Sequence, residues 1–160
     1  MRGTRLVSVL DGVVGPCLRT RLLVCALLLF LLGWQIGHVE AAPVRFTHAE
    51  IFAAIRMVES SDLDNPPDGD GGRAIGPYQI HRVYWQDSRQ KGDYQDCRRR
   101  EYAERVIRAY MRRYVPDAWK GRDAEVIART HNGGPKGRKK KTATDGYWAR
   151  VHATLLKQRT

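Results

Sequence analysis

The stretch THAEIFAAIRMVESS, Thr47–Ser61, decides how the rest of the chain is read. Thr47 and Glu50 stand at the spacing of a capping box, in which the threonine hydroxyl accepts from the Glu50 amide and the Glu50 side chain reaches back. Phe46 and Ile51 occupy the two positions of a hydrophobic staple around that cap. Ile51, Ala54, Ile55 and Val58 recur on one face, so a helix is predicted that ends near Ser60, ahead of the breaker Asp64-Asn65-Pro66-Pro67. Glu59 falls in its last turn.

Further along, Asp68 to Gly72 is rich in Gly and Asp, and with Arg73-Ala74-Ile75 it reads as a loop or small hairpin leading into Gly76-Pro77. Gln79 to about Gln90 is predicted helical, with Ile80, Val83 and Tyr84 on one face. Asp96 is expected to cap a clearer helix carrying Ala103, Val106, Ile107, Tyr110 and Tyr114, which Pro116 should stop. Asp123 can cap a helix through Ala124, Ile127, Ala128 and His131. Thr144 or Asp145 can open a last one with Tyr147, Trp148, Val151 and Leu155. No internal repeat interrupts this series. The fold class predicted is mainly α, with loops at 61–76 and 132–143.

Upstream of Phe46, the 13 residues Leu22 to Trp34 are apolar, follow Arg19 and Arg21, and give way to polar residues by Gln35. Such a run is short for a bilayer span. Followed by Val39-Glu40-Ala41, it reads as a signal peptide over residues 1–41, with an uncleaved anchor extending through Ile36 as the alternative. The domain at 42–160 is therefore expected to be secreted or periplasmic, touching a membrane only if the N-terminal segment stays attached.

The full chain has 160 residues, 28 Lys plus Arg against 17 Asp plus Glu, a net charge of +11 and three cysteines; its mean hydropathy of -0.50 excludes a polytopic membrane protein. Removing Arg2, Arg5, Arg19, Arg21, Asp11 and Glu40 with the signal leaves 24 basic and 15 acidic residues, a net +9, on 119 residues with Cys97 alone. No disulfide can form within that domain, which is long enough to bury a core without one.

A helix-terminal Glu59 beside a loop bearing Asp62, Asp64, Asp68 and Asp70 suits glycoside hydrolysis, which needs one protonated carboxyl to protonate the leaving oxygen and a second, ionised one. A packed helix beside Met57 and Val58 would favour the protonated form at Glu59, and an Asp among glycines would stay wet and ionised. On spacing alone, an exposed helix-end charge and turn-forming aspartates remain the alternative. A calcium loop ranks low, since no Glu closes it at the twelfth position. His131 has no second His or Cys at metal-ligand spacing, so no metal and no cofactor are expected. Ser60 and Ser61 lack a nucleophile-elbow context, and Cys97 lacks an activating partner.

Five segments, in order, resemble the invertebrate-type lysozyme (destabilase) family: Val58-Glu59-Ser60; Gly76-Pro77-Tyr78-Gln79-Ile80 with Tyr84-Trp85-Gln86-Asp87; Tyr110-Met111-Arg112-Arg113-Tyr114; Ala128-Arg129-Thr130-His131-Asn132-Gly133-Gly134-Pro135; and Gly146-Tyr147-Trp148. The likeness spans roughly residues 50 to 152. It implies a small α-rich lysozyme-like fold with a short hairpin or loop region beside a cleft. It also implies cleavage of the β-1,4 bond between N-acetylmuramic acid and N-acetylglucosamine in peptidoglycan. Glu59 matches the family's catalytic acid. The second carboxylate needs a one-residue shift in the loop; Asp70 is chosen and Asp68 held in reserve. Tyr78, Gln79, His131, Asn132 and Gly133 are implied as substrate-binding residues. The chain departs from the family in cysteine content, with Ile75 and Arg138 standing where the family has Cys.

Two other readings stay open at this point. A lytic transglycosylase would use Glu59 alone and leave anhydro-muramyl ends. A non-catalytic polyanion binder would use Arg98-Arg99-Arg100 and Arg138-Lys139-Lys140-Lys141. No nucleic-acid motif accompanies those runs, so the partners expected are peptidoglycan strands and, through the basic surface, anionic wall polymers.

Overall fold

A computed structural model describes residues 45–160; the segment 1–41 expected to be a signal peptide and the start of the predicted domain lie outside the described residues. Helix α1 spans His48–Ser60 and opens on the capping box read from the sequence: Thr47 Oγ1 accepts from the Glu50 amide and Glu50 accepts from the Thr47 amide. A hairpin of two short antiparallel strands follows, β1 (Ala74–Ile75) and β2 (Ile80–His81), with Ala74 opposite His81 and Ile75 opposite Ile80. Then come α2 (Arg82–Ser88), a 3-10 turn (Tyr94–Arg98), α3 (Arg100–Tyr114), α4 (Pro116–Gly121), α5 (Ala124–Gly133), a second 3-10 turn (Gly137–Lys139) and α6 (Lys141–Lys157).

The core lies where the helical stripes meet. Ile51 and Ile55 of α1, Val106, Ile107 and Met111 of α3, Ile127 of α5, and Val151 and Leu155 of α6 are all fully buried. Each such side chain contributes about 1.5–3 kcal/mol by leaving water, which is how the domain holds together with Cys97 as a free, buried thiol. Among the described residues no helix is long and apolar enough to cross a membrane.

Four boundaries differ from the sequence reading. The segment predicted helical from Gln79 begins instead as strand β2, because Gln79 has φ 47°, which a helix excludes, and Ile80 pairs with Ile75. Asp96 does not cap α3; it completes a capping box with Asp93 on the 3-10 turn, and α3 starts at Arg100 without a side-chain cap. Pro116 ends α3 and also begins α4, at the first helical position where its missing N–H costs nothing. Lastly, α6 starts at Lys141, so Thr144 and Asp145 lie inside it: the Thr144 hydroxyl turns back to the Lys140 carbonyl, and Asp145 pairs with Arg129. Asp123 caps α5 as read, accepting from the Val126 amide.

Candidate active site

Glu59 is the penultimate residue of α1, and the two serines after it fix the helix end. Ser60 donates to the Arg56 carbonyl and, at 2.9 Å, to the Pro77 carbonyl, tying α1 to the hairpin turn. Ser61 adopts the left-handed conformation and its amide closes on Met57. Beyond the turn, Asp70 and Gln79 are also left-handed without being glycine. Such conformations cost energy and concentrate where a site demands them.

A cleft of about 310 Å³ opens there, within the size range of small-ligand sites, and Glu59, Asp70, Gln79, His81, Tyr84, His131 and Asn132 are among the residues lining it. The Glu59 side chain is 19% exposed. Its Oε1 accepts a 2.8 Å hydrogen bond from the Tyr147 hydroxyl of α6 and lies 3.6 Å from His131 Nε2. Among the described residues Oε2 has no hydrogen-bond partner. Met57, expected to help desolvate Glu59, points to solvent; the side chains that approach the carboxyl are Tyr147 and His131. Burial, and after it the Glu59 charge, pushes the Tyr147 phenol well above its usual range, so Tyr147 stays a donor at any working pH.

His131 Nε2 lies 3.2 Å from the Tyr78 carbonyl and Nδ1 lies 3.4 Å from the Tyr84 hydroxyl. A carbonyl only accepts, which assigns the hydrogen to Nε2 and leaves Nδ1 to accept from Tyr84 in the neutral ring. Tyr84 is itself stacked on Tyr110 with ring centres 3.7 Å apart.

Asp70 sits across the cleft on the hairpin loop, 61% exposed, with Oδ2 2.9 Å from His81 Nε2. Asp68, the reserve candidate, does not line this cleft. Both its oxygens are taken by Arg98, whose guanidinium holds the carboxyl below the usual range. Tyr78 is corrected from a cleft residue to a core residue: its ring is fully buried, and its hydroxyl accepts from Arg56 at 3.0 Å and donates to Glu104 at 2.9 Å. Only its backbone carbonyl reaches the site. Gln79 lines the cleft while its amide nitrogen holds the loop through the Gly76 and Pro67 carbonyls. Asn132 is exposed at the cleft; Gly133 is not among its lining residues, and a Cβ there would meet Thr144 at 2.8 Å.

Tyr147, Tyr84 and His81 were not assigned site roles from sequence. The two tyrosines belong to the quoted motifs, but nothing in helical spacing separates a core tyrosine from one whose hydroxyl reaches a carboxylate 88 residues away. Among the described residues no group of three or more His, Cys, Asp or Glu side chains is placed to hold a metal ion. Burial pushes the Cys97 thiol up to about 12, far from nucleophilic.

The Destabilase family model matches residues 54–154. Lysozyme 1 of Crassostrea virginica is 41% identical over 82 residues, covering 50% of this chain and 44% of its own length. A lysozyme of Meretrix lusoria is 39% identical over 83 residues, 51% of this chain and 67% of that protein. The chain thus spans about half the length of the curated relatives it matches first. Among solved structures, a chain in the crystal structure of Aeromonas hydrophila PliI in complex with Meretrix lusoria lysozyme superposes with a TM-score of 0.54 at 30% identity, over 69% of this chain and 92% of that one. With the family model matched from the middle of α1 to near the end of α6, and the mainly α fold shared with a solved relative, the chain belongs to the destabilase, or invertebrate-type lysozyme, family.

Proposed function

We propose that this domain is a glycoside hydrolase that cleaves the β-1,4 bond between N-acetylmuramic acid and N-acetylglucosamine in peptidoglycan. The observation that carries this reading is one cleft lined by two carboxyl groups in contrasting settings. Glu59 is mostly buried, bonded to Tyr147 and close to His131, whereas Asp70 is open to water and held by His81. Glu59 serves as general acid, giving a proton from Oε2 to the leaving glycosidic oxygen. Asp70 is the second carboxylate, facing the positive charge that develops on the sugar ring. Gln79, His131 and Asn132 shape the walls that hold the glycan. The N-terminal segment exports the domain, and its basic surface draws it to anionic wall polymers.

Release of soluble fragments from purified cell walls tests the assignment. Glu59→Gln should lose about two to four orders of magnitude of turnover, the typical contribution of a general acid, while remaining folded. Asp70→Asn should lose far more than Asp68→Asn. An inactive wild type, or a fully active Glu59→Gln, overturns the reading. Reducing ends on the product identify a hydrolase; anhydro-muramyl ends would identify a transglycosylase using Glu59 alone.

A further inference from the structure

Next to the cleft lies a second depression of about 420 Å³, and His81 lines both. Its walls carry three guanidinium groups, Arg73, Arg82 and Arg98, against a single carboxylate, Asp68. Asp68 is already paired with Arg98 through both oxygens. Among the described residues neither Arg73 nor Arg82 pairs with a carboxylate, so the depression keeps an uncompensated charge of about two.

Both arginines are nevertheless held in place. Arg73 uses Nε to donate to the Asp70 carbonyl at 2.8 Å, which leaves its two terminal nitrogens free. Arg82 lies over the Tyr94 ring, 4.5 Å from its centre. Tyr94 in turn is fixed by donating its hydroxyl to the backbone of Arg73 and Ile80. A fork ordered before its ligand arrives loses little entropy on binding. Val83, 64% exposed, supplies an apolar flank beside the charges.

Oriented guanidinium forks beside an apolar flank fit a ligand with carboxylates spaced along an aliphatic chain. From this we infer that the depression is a subsite for the carboxylate-bearing stem peptides of peptidoglycan, entered across His81 by the peptide branch of a glycan bound in the cleft. The inference rests on the function proposed above. It adds that the enzyme distinguishes peptide-bearing glycan from bare glycan, and that Arg73 and Arg82 are the residues that do so.

The test compares kcat/KM on two substrates: walls with intact stem peptides, and the same walls stripped of peptide by an amidase. Acid treatment first removes phosphate polymers from both. Wild type should favour the peptide-bearing walls by roughly 5–10-fold, the scale of a charge-assisted contact discounted for exposure. In Arg73→Gln/Arg82→Gln the ratio should fall to about one. A wild-type ratio near one, or a ratio unchanged in the double variant, overturns the inference. So does a preference that appears only when phosphate polymers are retained, which would mark a polyphosphate site instead.

A binding measurement keeps the two proposals separable. Glu59→Gln protein is titrated with the free tetrapeptide stem and with the same peptide amidated at its carboxyls, and backbone amide shifts are followed from Arg82 to Tyr94. Saturable shifts with the free peptide only, lost in the double variant, support the subsite even if walls are not cleaved. No shift with either peptide refutes the subsite even if walls are cleaved.

Discussion

Replacing Tyr147 by Phe removes a single interaction from the candidate site and little else. The ring is buried against the core, and Phe fills the same space, so no cavity forms. What disappears is the 2.8 Å bond that the phenol donates to Glu59 Oε1. The general acid acts as a neutral carboxyl, so the bond its Oε1 accepts is a neutral one worth about 0.5–1.5 kcal/mol, with only 19% of the Glu59 side chain meeting solvent. If that energy holds Oε1 so that Oε2 presents the proton, kcat should fall roughly 2–12-fold with KM little changed, at about 1.4 kcal/mol for each factor of ten. The assay is initial-rate fragment release from walls over a range of substrate, with urea unfolding of the same preparation. A kcat within twofold of wild type refutes the positioning role, as does a loss matched by a rise in KM or by unfolding. Tyr84→Phe is the internal comparison: its hydroxyl meets His131 at 3.4 Å and makes no bond to Glu59, so its effect should be smaller.

Gly76→Ala should destabilise the domain by about 2–5 kcal/mol, combining a left-handed penalty at φ 72° with a Cβ placed 2.2 Å from the Cys97 carbonyl oxygen. Urea denaturation measures it, and a loss under about 1 kcal/mol would show that the turn can shift away from Cys97. Glu50 is held down to about 2, first by the Arg159 hydrogen bond and then by the Thr47 amide. The folded value lies below the unfolded 4.5, so this stabilisation is complete above that pH and is lost as pH falls through about 2. With the side chain 26% exposed, screening trims it to about 1 kcal/mol; Glu50→Gln should cost that much at pH 7 and only a small part of it at pH 2, and a cost independent of pH would refute the linkage.

The helices were legible in the sequence where local signals and burial agree. The Thr47 capping box, the Asp123 cap and the stripes Val106, Ile107, Tyr110 and Ile127, Ala128, His131 all stand in the structure as read. Between Gln79 and Arg100 the expected helix forms over Arg82–Ser88, but the boundaries were not legible, because they are set from outside the segment: Gln79 turns left-handed to bond the Pro67 and Gly76 carbonyls, and Ile80 is drawn into a strand by Ile75. Glu59 stands out by its place at a helix end beside an Asp-bearing loop, and the resemblance points to Asp70; one cleft is lined by both. The difference between Asp68 and Asp70 could not be read from spacing two residues apart, since it depends on Arg98, 30 residues downstream, occupying one of them. Tyr78 misled for the opposite reason: its place in a motif suggested contact with substrate, while its hydroxyl is spent inside the core on Arg56 and Glu104.

That outcome for Tyr78 extends to much of the motif sequence, which builds the surroundings of Glu59 more than it supplies reacting groups. Gly137, just beyond the Asn132-Gly133-Gly134-Pro135 segment, packs so tightly that a Cβ would fall 1.9 Å from the Arg129 carbonyl oxygen. Arg129 is buried and divides its guanidinium between Glu125 of its own helix and Thr144 and Asp145 of α6. The connection between α5 and α6 is thereby pinned to α5, which sets where α6 lies and how far along its axis Tyr147 falls. Two residues beyond Arg129 along α5, His131 meets the Tyr78 carbonyl, while Ser60 fastens the end of α1 to Pro77. Three helices and a hairpin turn converge on one carboxyl group through these bonds, with Cys97 free. In a domain whose described residues contain no disulfide, the buried Arg129 with its surface carboxylates and the close glycine contacts carry the precision at Glu59 that cross-links would otherwise secure.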